Sequence, residues 1–358
     1  MSQAPVTIAL GLQGGGSHGA FTWGVLDRLL QEVEAERLRI GAVSGTSAGA
    51  FNAALTVSGL IQGGAPAARR KLHDFWEGLS RAGFQSGNAL FYGEPNLCGG
   101  FNLDFSPVSI ALEAAGLVVS PYTNPFYTDA LIPIVAEAFP PAELAALNAA
   151  AAPRLFVTAA DVSRNARAIF TQPDISGEAL RASAGLPTVF KAVMIDGVPY
   201  WDGGYLGNPA LSPLLDYAQD LLLVLVNPFE RAGMPPQLAP AILDRIREIT
   251  FNASVVLEIN AIEAVNKLLA DLAAAGVAYT GHYRPIRLHA IQNDPFVATL
   301  GFASKNSTSW ALLTTLRDVG IETADAWLRE NGGRIGRESS MDVKGMLDVV
   351  LKSAPKRT

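Results

Sequence analysis

Two glycine-rich turns near the start of the chain constrain its fold more strongly than any other feature. The first turn follows an apolar run, Val6–Leu12, and precedes a helical pattern from residue 20 to about residue 36. The second follows an apolar run at residues 40–43 and precedes a helix of small residues from 47 to about 59. Each turn therefore lies where a strand passes into a helix. This repeated order predicts a parallel sheet that carries helices on both faces.

The rest of the chain predicts further strands and a helical end. Apolar runs typical of strands occupy residues 154–160, 168–171, 193–201, 221–226 and 283–291, and a long helical pattern covers 242–274. Residues from about 81 to 125 are rich in glycine, proline and aromatic side chains, which indicates a long ordered insertion. No internal repeat or linker interrupts the order. We therefore expect an α/β fold, a three-layer α/β/α sandwich around a mainly parallel central sheet.

The composition excludes several classes of protein. The 358 residues include 27 basic and 33 acidic ones, and the net charge of −6 argues against a nucleic-acid partner. One cysteine, Cys98, and four histidines leave little material for a disulfide or a zinc site. We therefore expect no metal, no cofactor and a reducing, cytoplasmic setting.

The apolar character of the chain does not predict a membrane span. Mean hydropathy is +0.23, yet the most apolar run, residues 221–226, is much shorter than the roughly 20 residues that a spanning helix needs. No basic region precedes the apolar residues 6–10, so we expect no signal peptide either.

The second glycine turn has the pattern of a nucleophile elbow. Its sequence, GTSAG at residues 45–49, fits G-x-S-x-G and lies directly between a strand and a helix. A tight turn of this kind needs Gly45 and Gly49 beside the serine, and it holds the Ser47 hydroxyl at the positive end of a helix dipole. The alternative is that Ser47 only caps the helix.

The first glycine turn, GGGSHG at residues 14–19, allows two functional interpretations. Consecutive glycines let backbone N–H groups converge on a small anionic site, so Gly14, Gly15 and Gly16 could form an oxyanion hole. The same residues fit the dinucleotide pattern G-x-G-x-x-G, but that site needs an acidic residue at the end of the second strand. Here that strand ends in Val-Ser-Gly, which favours the oxyanion hole.

A serine nucleophile needs a base, and the sequence offers two kinds. None of the four histidines, His18, His73, His282 and His289, lies in a recognisable catalytic pattern. Asp202 is followed by two glycines at a strand end, which indicates a tight turn. An aspartate with an ordinary pKa near 3.9 is a weak base, so Asp202 would need burial to raise that pKa.

These motifs, in this order, resemble the patatin-like phospholipases, which are serine lipid acyl hydrolases with a Ser-Asp dyad. That family carries a glycine-rich loop, a G-x-S-x-G elbow and a downstream Asp-Gly-Gly or Asp-Gly-Ala. Segments 182–187 and 208–209 add to the similarity, which covers about the first 230 residues. The resemblance implies that Ser47 is the nucleophile, Asp202 is the base and the loop from Gly14 to Gly16 is the oxyanion hole.

The resemblance also implies a domain organisation. A patatin-like catalytic domain would span residues 1–235 and include the insertion at about 81–125. Residues 236–358 match no block of the family, and we expect them to form a mostly helical part packed on the same domain. One departure affects the first loop, because the family usually has Arg or Lys before its last glycine and this chain has His18.

The expected function is therefore hydrolysis of lipid acyl esters, of the phospholipase A, lysophospholipase or esterase type, through an acyl-enzyme. The acyl chain would lie against the aromatic insertion, with Phe91 and Phe101 as lining residues, unless those aromatics pack a second small core. Helices after residue 240 would make at most weak peripheral contact with a membrane, since the net charge disfavours anionic lipid.

Two other functions stay open at this point. One is an esterase with a Ser-Asp-His triad that uses His282 or His289. The other is a lipid-binding scaffold of the same fold that has lost turnover. The sequence predicts nothing about the oligomeric state.

Overall fold

Eight strands form one sheet in the part of the chain that the computed structural model describes, namely residues 4–85, 120–230, 234, 235, 237, 239–300 and 302–350. In chain order they are β1 (Val6–Leu12), β2 (Leu38–Thr46), β3 (Arg154–Asp161), β4 (Ala166–Thr171), β5 (Val193–Ile195), β6 (Val198–Asp202), β7 (Asp220–Val224) and β8 (Arg287–Ile291). The order across the sheet is β5-β6-β3-β2-β1-β7-β8, and β4 also pairs with β3. The central strands β3, β2, β1, β7 and β8 pair in parallel, whereas β4 and β6 run antiparallel to β3.

Helices surround this sheet. The described helices are α1 (Gly19–Glu34), α2 (Ala48–Gln85), α3 (Leu131–Ala138), α4 (Pro141–Ala149), α5 (Gly177–Ser183), α6 (Ala239–Ala274), α7 (Asp294–Thr299), α8 (Trp310–Asn331) and α9 (Val343–Val350). Short 3-10 turns lie at Gly16–His18, Gly203–Tyr205, Ser212–Leu214, Phe302–Asn306 and Gly332–Arg334. None of the described helices has the length and apolar content that crossing a membrane requires.

Alternate residues of β7 enter two apolar cores, one on each face of the sheet. Leu222 and Val224 pack with side chains of α1 and α2. Leu221 and Leu223 belong to a second core that includes Val255 of α6. A strand buried on both faces is what a parallel sheet between two helical layers requires. The predicted α/β fold with a mostly parallel central sheet is therefore confirmed.

The range α2 contains two helical segments separated by a kink at Gly63 and Gly64, whose backbone angles are not helical; Gly64 has a φ of +71°. The first segment ends just before Gly63, close to the end predicted near residue 59, and the second segment runs on to Gln85. Pro66 follows this kink, where its missing N–H costs no helical hydrogen bond. Residues 81–85, which we had assigned to the insertion, thus belong to α2. Phe91 and Phe101 lie outside the described residues.

The chain after residue 235 contributes to the same sheet and its helical layers. β8 lies at the edge of the sheet in register with β7, so that Leu222 is opposite His289. It begins at Arg287, later than the predicted start at 283, because residues 278–285 are exposed and form no strand. α8 packs along α1, the helix that follows the first glycine turn.

Candidate active site

Ser47 lies in a strained turn between β2 and α2. Its φ of +55° is in the left-handed region, which residues other than glycine rarely adopt. The glycines on either side are sterically required. A β-carbon at Gly45 would come within 2.2 Å of the Gly49 carbonyl oxygen, and one at Gly49 within 2.2 Å of the Leu12 carbonyl oxygen. This is the geometry of a nucleophile elbow, with a serine that is 8% exposed.

Two hydrogen bonds tie this elbow to the part of the chain that carries Asp202. The Ser47 N–H donates to Ser183 Oγ at 2.9 Å, and Ser183 is the last residue of α5. The Thr46 hydroxyl donates to the Gly207 carbonyl at 2.7 Å. Both contacts are buried, so the elbow is fixed relative to the segments on either side of Asp202.

The sheet register brings Asp202 to the same end of the sheet as Ser47. Thr46 of β2 is in register with Thr158 of β3, and the next β3 residue, Ala159, is in register with Asp202 of β6. Ser47 and Asp202 therefore stand on either side of one intervening strand, and neighbouring strands are about 4.8 Å apart. Both residues line the same cavity.

Burial raises the pKa of the Asp202 carboxyl to about 7, while the Gly204 N–H and the Ser47 hydroxyl lower it. The side chain is fully buried, and Oδ1 accepts a hydrogen bond from Gly204 N–H at 2.7 Å. Oδ2 has no hydrogen-bond partner of ordinary geometry within the described part of the chain. In the absence of substrate, catalytic hydrogen bonds are often long and tighten only in the complex. A carboxylate with this pKa can take up a proton near neutral pH.

Two glycines of the first turn, Gly15 and Gly16, line the cavity, and their N–H groups donate no hydrogen bond to any described residue. Gly16 has a φ of +59°. Gly14 differs, because its N–H donates to Asn208 Oδ1 at 2.7 Å and its carbonyl accepts from Asn227 Nδ2 at 2.9 Å. Gly14 is therefore a fixed support of the loop, and the donor groups open to a ligand are those of Gly15 and Gly16.

The cavity, of about 160 Å³, has an apolar side and a polar side. Aromatic and aliphatic side chains form the first: Phe51, Phe75, Trp76, Leu79, Leu131, Ile134, Leu186, Phe190 and Phe251. Residues after position 235 form the second: Arg247, Glu248, Lys305, Asn306 and Thr308. An apolar pocket with a few polar groups near a reactive serine suits an amphiphilic ligand.

The histidines lie elsewhere. His18 is buried with its Nε2 at 2.7 Å from Ser304 Oγ, and it does not line the cavity. His282 is exposed beside Asp216, with its Nε2 at 3.0 Å from Oδ1. His73 packs its ring edge-on to Trp23.

His289 has the contacts of a triad histidine but in a different place. Its Nε2 is 3.1 Å from Asp220 Oδ1, and its Nδ1 is 2.9 Å from Ser340 Oγ. Asp220 begins β7 in register with Ile8, whereas Ser47 follows the opposite end of the neighbouring strands. Arg287 and the Gly336 N–H also bind Asp220, at 2.7 and 2.8 Å. Neither His289 nor His282 lines the cavity of Ser47, so the described residues give no support to a triad that includes either.

Sequence reasoning did not identify the residues whose hydrogen bonds fix the elbow and the first glycine turn. Ser183 and Asn208 lie in segments that resemble the family, but nothing in the pattern gave them a role. Asn227 and Lys305 carried no signal, because their contacts with the first glycine turn join positions distant in sequence.

Comparisons with known proteins agree with the motifs. The family model for patatin-like phospholipases matches residues 10–215, which is more than half of the chain. No curated protein matches. Among solved structures the chain is similar to the crystal structure of VipD from Legionella pneumophila, with 13% identity, 98% of this chain and 80% of that chain covered, and a TM-score of 0.31. That likeness is too weak to carry an argument. From the family match, the chain belongs to the patatin-like phospholipases.

Proposed function

We propose that this chain hydrolyses lipid acyl esters with Ser47 as nucleophile and Asp202 as general base. The observation that carries the proposal is the combination at one cavity of a serine on a strained elbow and a buried carboxylate whose pKa is about 7. Membership of the family supports acyl hydrolysis of lipids, and the geometry supports the assignment of roles to these two residues.

The reaction would proceed through an acyl-enzyme. Ser47 Oγ attacks the carbonyl carbon of the ester while Asp202 accepts the hydroxyl proton, and the N–H groups of Gly15 and Gly16 bind the resulting oxyanion. The bond to the alcohol oxygen then breaks, and Asp202 returns the proton to the departing alcohol. In the second half, Asp202 takes a proton from water, the hydroxide attacks the acyl carbon, and Ser47 leaves as the hydroxyl when the proton returns.

The apolar side of the cavity would hold the acyl chain. Phe51, Phe75, Phe190 and Phe251 give it a surface that a fatty acyl group can cover. The role predicted for Phe91 and Phe101 stays a prediction, since both lie outside the described residues. Phospholipid, lysophospholipid and simpler esters all fit this arrangement.

We also propose peripheral contact with a lipid surface through an apolar rim, defined as Tyr122, Phe126, Val189, Ile246 and Ile249. These side chains are exposed, and Phe126 is 88% exposed. Val189 and Ile246 are adjacent in sequence to Phe190 and Arg247, which line the cavity. The segments that carry them touch, because the Tyr122 hydroxyl accepts from Ala192 N–H at 2.8 Å and Arg247 donates to the Thr188 hydroxyl at 2.9 Å. A cytoplasmic setting stays a prediction from the single cysteine.

A fluorophosphonate probe and an ester substrate test the proposal together. We expect the probe to label the wild type and Ser163→Ala, whose serine is exposed and distant from the elbow, but not Ser47→Ala. Ser47→Ala should lose at least about 10³-fold in kcat on a p-nitrophenyl ester, and Asp202→Asn about 10²- to 10⁴-fold. Hydrolysis by Ser47→Ala at the wild-type rate would contradict the proposal. Failure of the wild type to react with the probe would indicate a lipid-binding protein without turnover.

A further inference from the structure

A segment beyond the family match lies against the first glycine turn. This segment, Phe302–Asn306, follows α7 in the chain. A β-carbon at Gly16 would come within 2.3 Å of the Lys305 carbonyl oxygen, so the two backbones are in close contact. The neighbouring Ser304 hydroxyl contacts His18 in the same turn at 2.7 Å.

The Lys305 side chain reaches the backbone of the turn through one buried amide. Its Nζ donates to Asn227 Oδ1 at 2.5 Å, and Asn227 Nδ2 donates to the Gly14 carbonyl at 2.9 Å. An ammonium group can only donate, so it requires the oxygen of the Asn227 amide to face it. The NH₂ group must then face Gly14. The cation thus sets the orientation of the amide as well as contacting it.

The Gly14 carbonyl and the Gly15 N–H belong to the same peptide unit. That unit is planar and trans, so its C=O and N–H point in opposite directions. Whatever fixes the Gly14 carbonyl therefore also fixes the direction of the N–H of Gly15, a residue that lines the cavity. A shift of about 1 Å in a catalytic group can cost about 10²-fold in rate.

We propose that Lys305 is a positioning residue for the oxyanion hole, acting through Asn227 on the peptide between Gly14 and Gly15. This inference rests on the proposed function, because it assigns to the Gly15 N–H the binding of the oxyanion. The residue that aims the donor comes from a part of the chain outside the family match.

Lys305 also lines the cavity, so it could instead bind the anionic group of a lipid head group directly. A substrate with a head group and one without it distinguish this binding role from the positioning role. The test measures kcat and KM for wild type, Lys305→Met and Lys305→Arg on neutral p-nitrophenyl butyrate and on a short-chain phosphatidylcholine. We expect Lys305→Met to lower kcat about 10- to 100-fold on both substrates with KM within about twofold. Lys305→Arg should recover most of kcat, since it keeps a cationic donor.

Two further variants serve as a control and as a test of the pathway. Lys267→Met removes an exposed lysine of α6 with the same change of charge and should keep wild-type kinetics. Asn227→Leu should lose about as much kcat as Lys305→Met, and the double variant should lose little more, because both changes break one chain of contacts. Thermal unfolding of each variant checks that it is folded.

Each contrary result contradicts a different part of the proposal. A loss confined to the phospholipid and expressed in KM would replace positioning by head-group binding. Unchanged kcat in Lys305→Met, or full additivity with Asn227→Leu, would overturn the inference alone. An inactive wild type would overturn the proposed function and this inference with it.

Discussion

Two buried aspartates of this chain have pKa values displaced in opposite directions, and the difference lies in their partners. Burial raises the pKa of both carboxyls. At Asp220, hydrogen bonds from His289 and Arg287 outweigh burial and hold the pKa well below its ordinary range. Asp202 has only an amide N–H and a hydroxyl to offset burial, so its pKa is about 7. One aspartate is therefore a permanent anion in a structural cluster, and the other is suited to proton transfer.

The pKa of Asp202 predicts how activity depends on pH. A general base must be ionised, so kcat/KM should be constant above pH 7 and should fall about tenfold for each pH unit below it. The profile of kcat/KM on p-nitrophenyl butyrate between pH 5 and 9 measures this directly. A limb centred near pH 4, the range of an ordinary aspartate, would contradict the role of burial.

The same raised pKa predicts that the stability of the fold falls as pH rises, whereas activity increases. The folded protein binds the Asp202 proton up to about pH 7 and the unfolded chain only up to about 3.8, so the free energy of unfolding falls as pH rises between those values. Asp202→Asn removes this loss of stability, because an amide does not ionise. Its Tm should exceed that of the wild type by a few °C at pH 8, and the gap should narrow at pH 5. An equal gap at both pH values would show that ionisation is not the cause.

At the scale of elements, α5 contacts the elbow through one hydroxyl. Ser183 ends this helix and accepts the Ser47 N–H. Ser183→Ala would leave a buried N–H without an acceptor, which should lower the free energy of unfolding by about 1–3 kcal/mol. It should also slow labelling by the fluorophosphonate probe, since the strained φ of Ser47 loses a support. Urea unfolding and labelling rates measure both, with Ser163→Ala as control, and an unchanged labelling rate would show that the elbow needs no such support.

Elements that depend on local pattern could be predicted from the sequence, and those that depend on distant contacts could not. β1 agrees with its apolar run at both ends, and the glycine spacing around Ser47 predicted the turn, because strand period and steric demand are local. The helix end near residue 59 was predicted to within a few residues, because Gly63 and Gly64 interrupt the helix locally, whereas the extension of the second helical segment to Gln85, into the predicted insertion, was missed. The sequence predicted the Gly14 N–H as an oxyanion donor, but this N–H already donates a hydrogen bond to Asn208. Because Asn208 is distant in sequence, the local pattern could not reveal this contact.

For the whole molecule, both glycine turns lie together at the carboxyl ends of the neighbouring strands β1 and β2, where ligand sites in open α/β sheets generally lie. Residues much later in the chain complete the site at these strand ends. The polar side of the cavity comes from positions 247–308, which no motif identified. The family pattern therefore predicts the reactive groups, while the surroundings that would set specificity depend on tertiary structure.

The apolar rim predicts how the whole molecule meets a lipid surface. The double variant Ile246→Ser/Ile249→Ser removes two exposed apolar side chains of α6 and should lower the binding constant for phosphatidylcholine vesicles, measured by co-sedimentation, by at least about 30-fold, because each burial contributes about 1–2 kcal/mol. Leu268→Ser changes an equally exposed residue farther along the same helix and serves as control. Equal loss in both variants would indicate general surface hydrophobicity, and no loss in the double variant would place the contact elsewhere.

The position of β7 has a practical consequence for anyone who expresses a fragment of this protein. The family match ends at residue 215, before β7 begins, yet β7 pairs with β1 in the middle of the sheet. A fragment cut at the end of the match would leave β1 as an open edge, and its residues, VTIALGL, form a short apolar strand with no charge. Such edges template intermolecular pairing. The truncated product should therefore collect in inclusion bodies, and its insolubility would say nothing about whether the motifs themselves are intact.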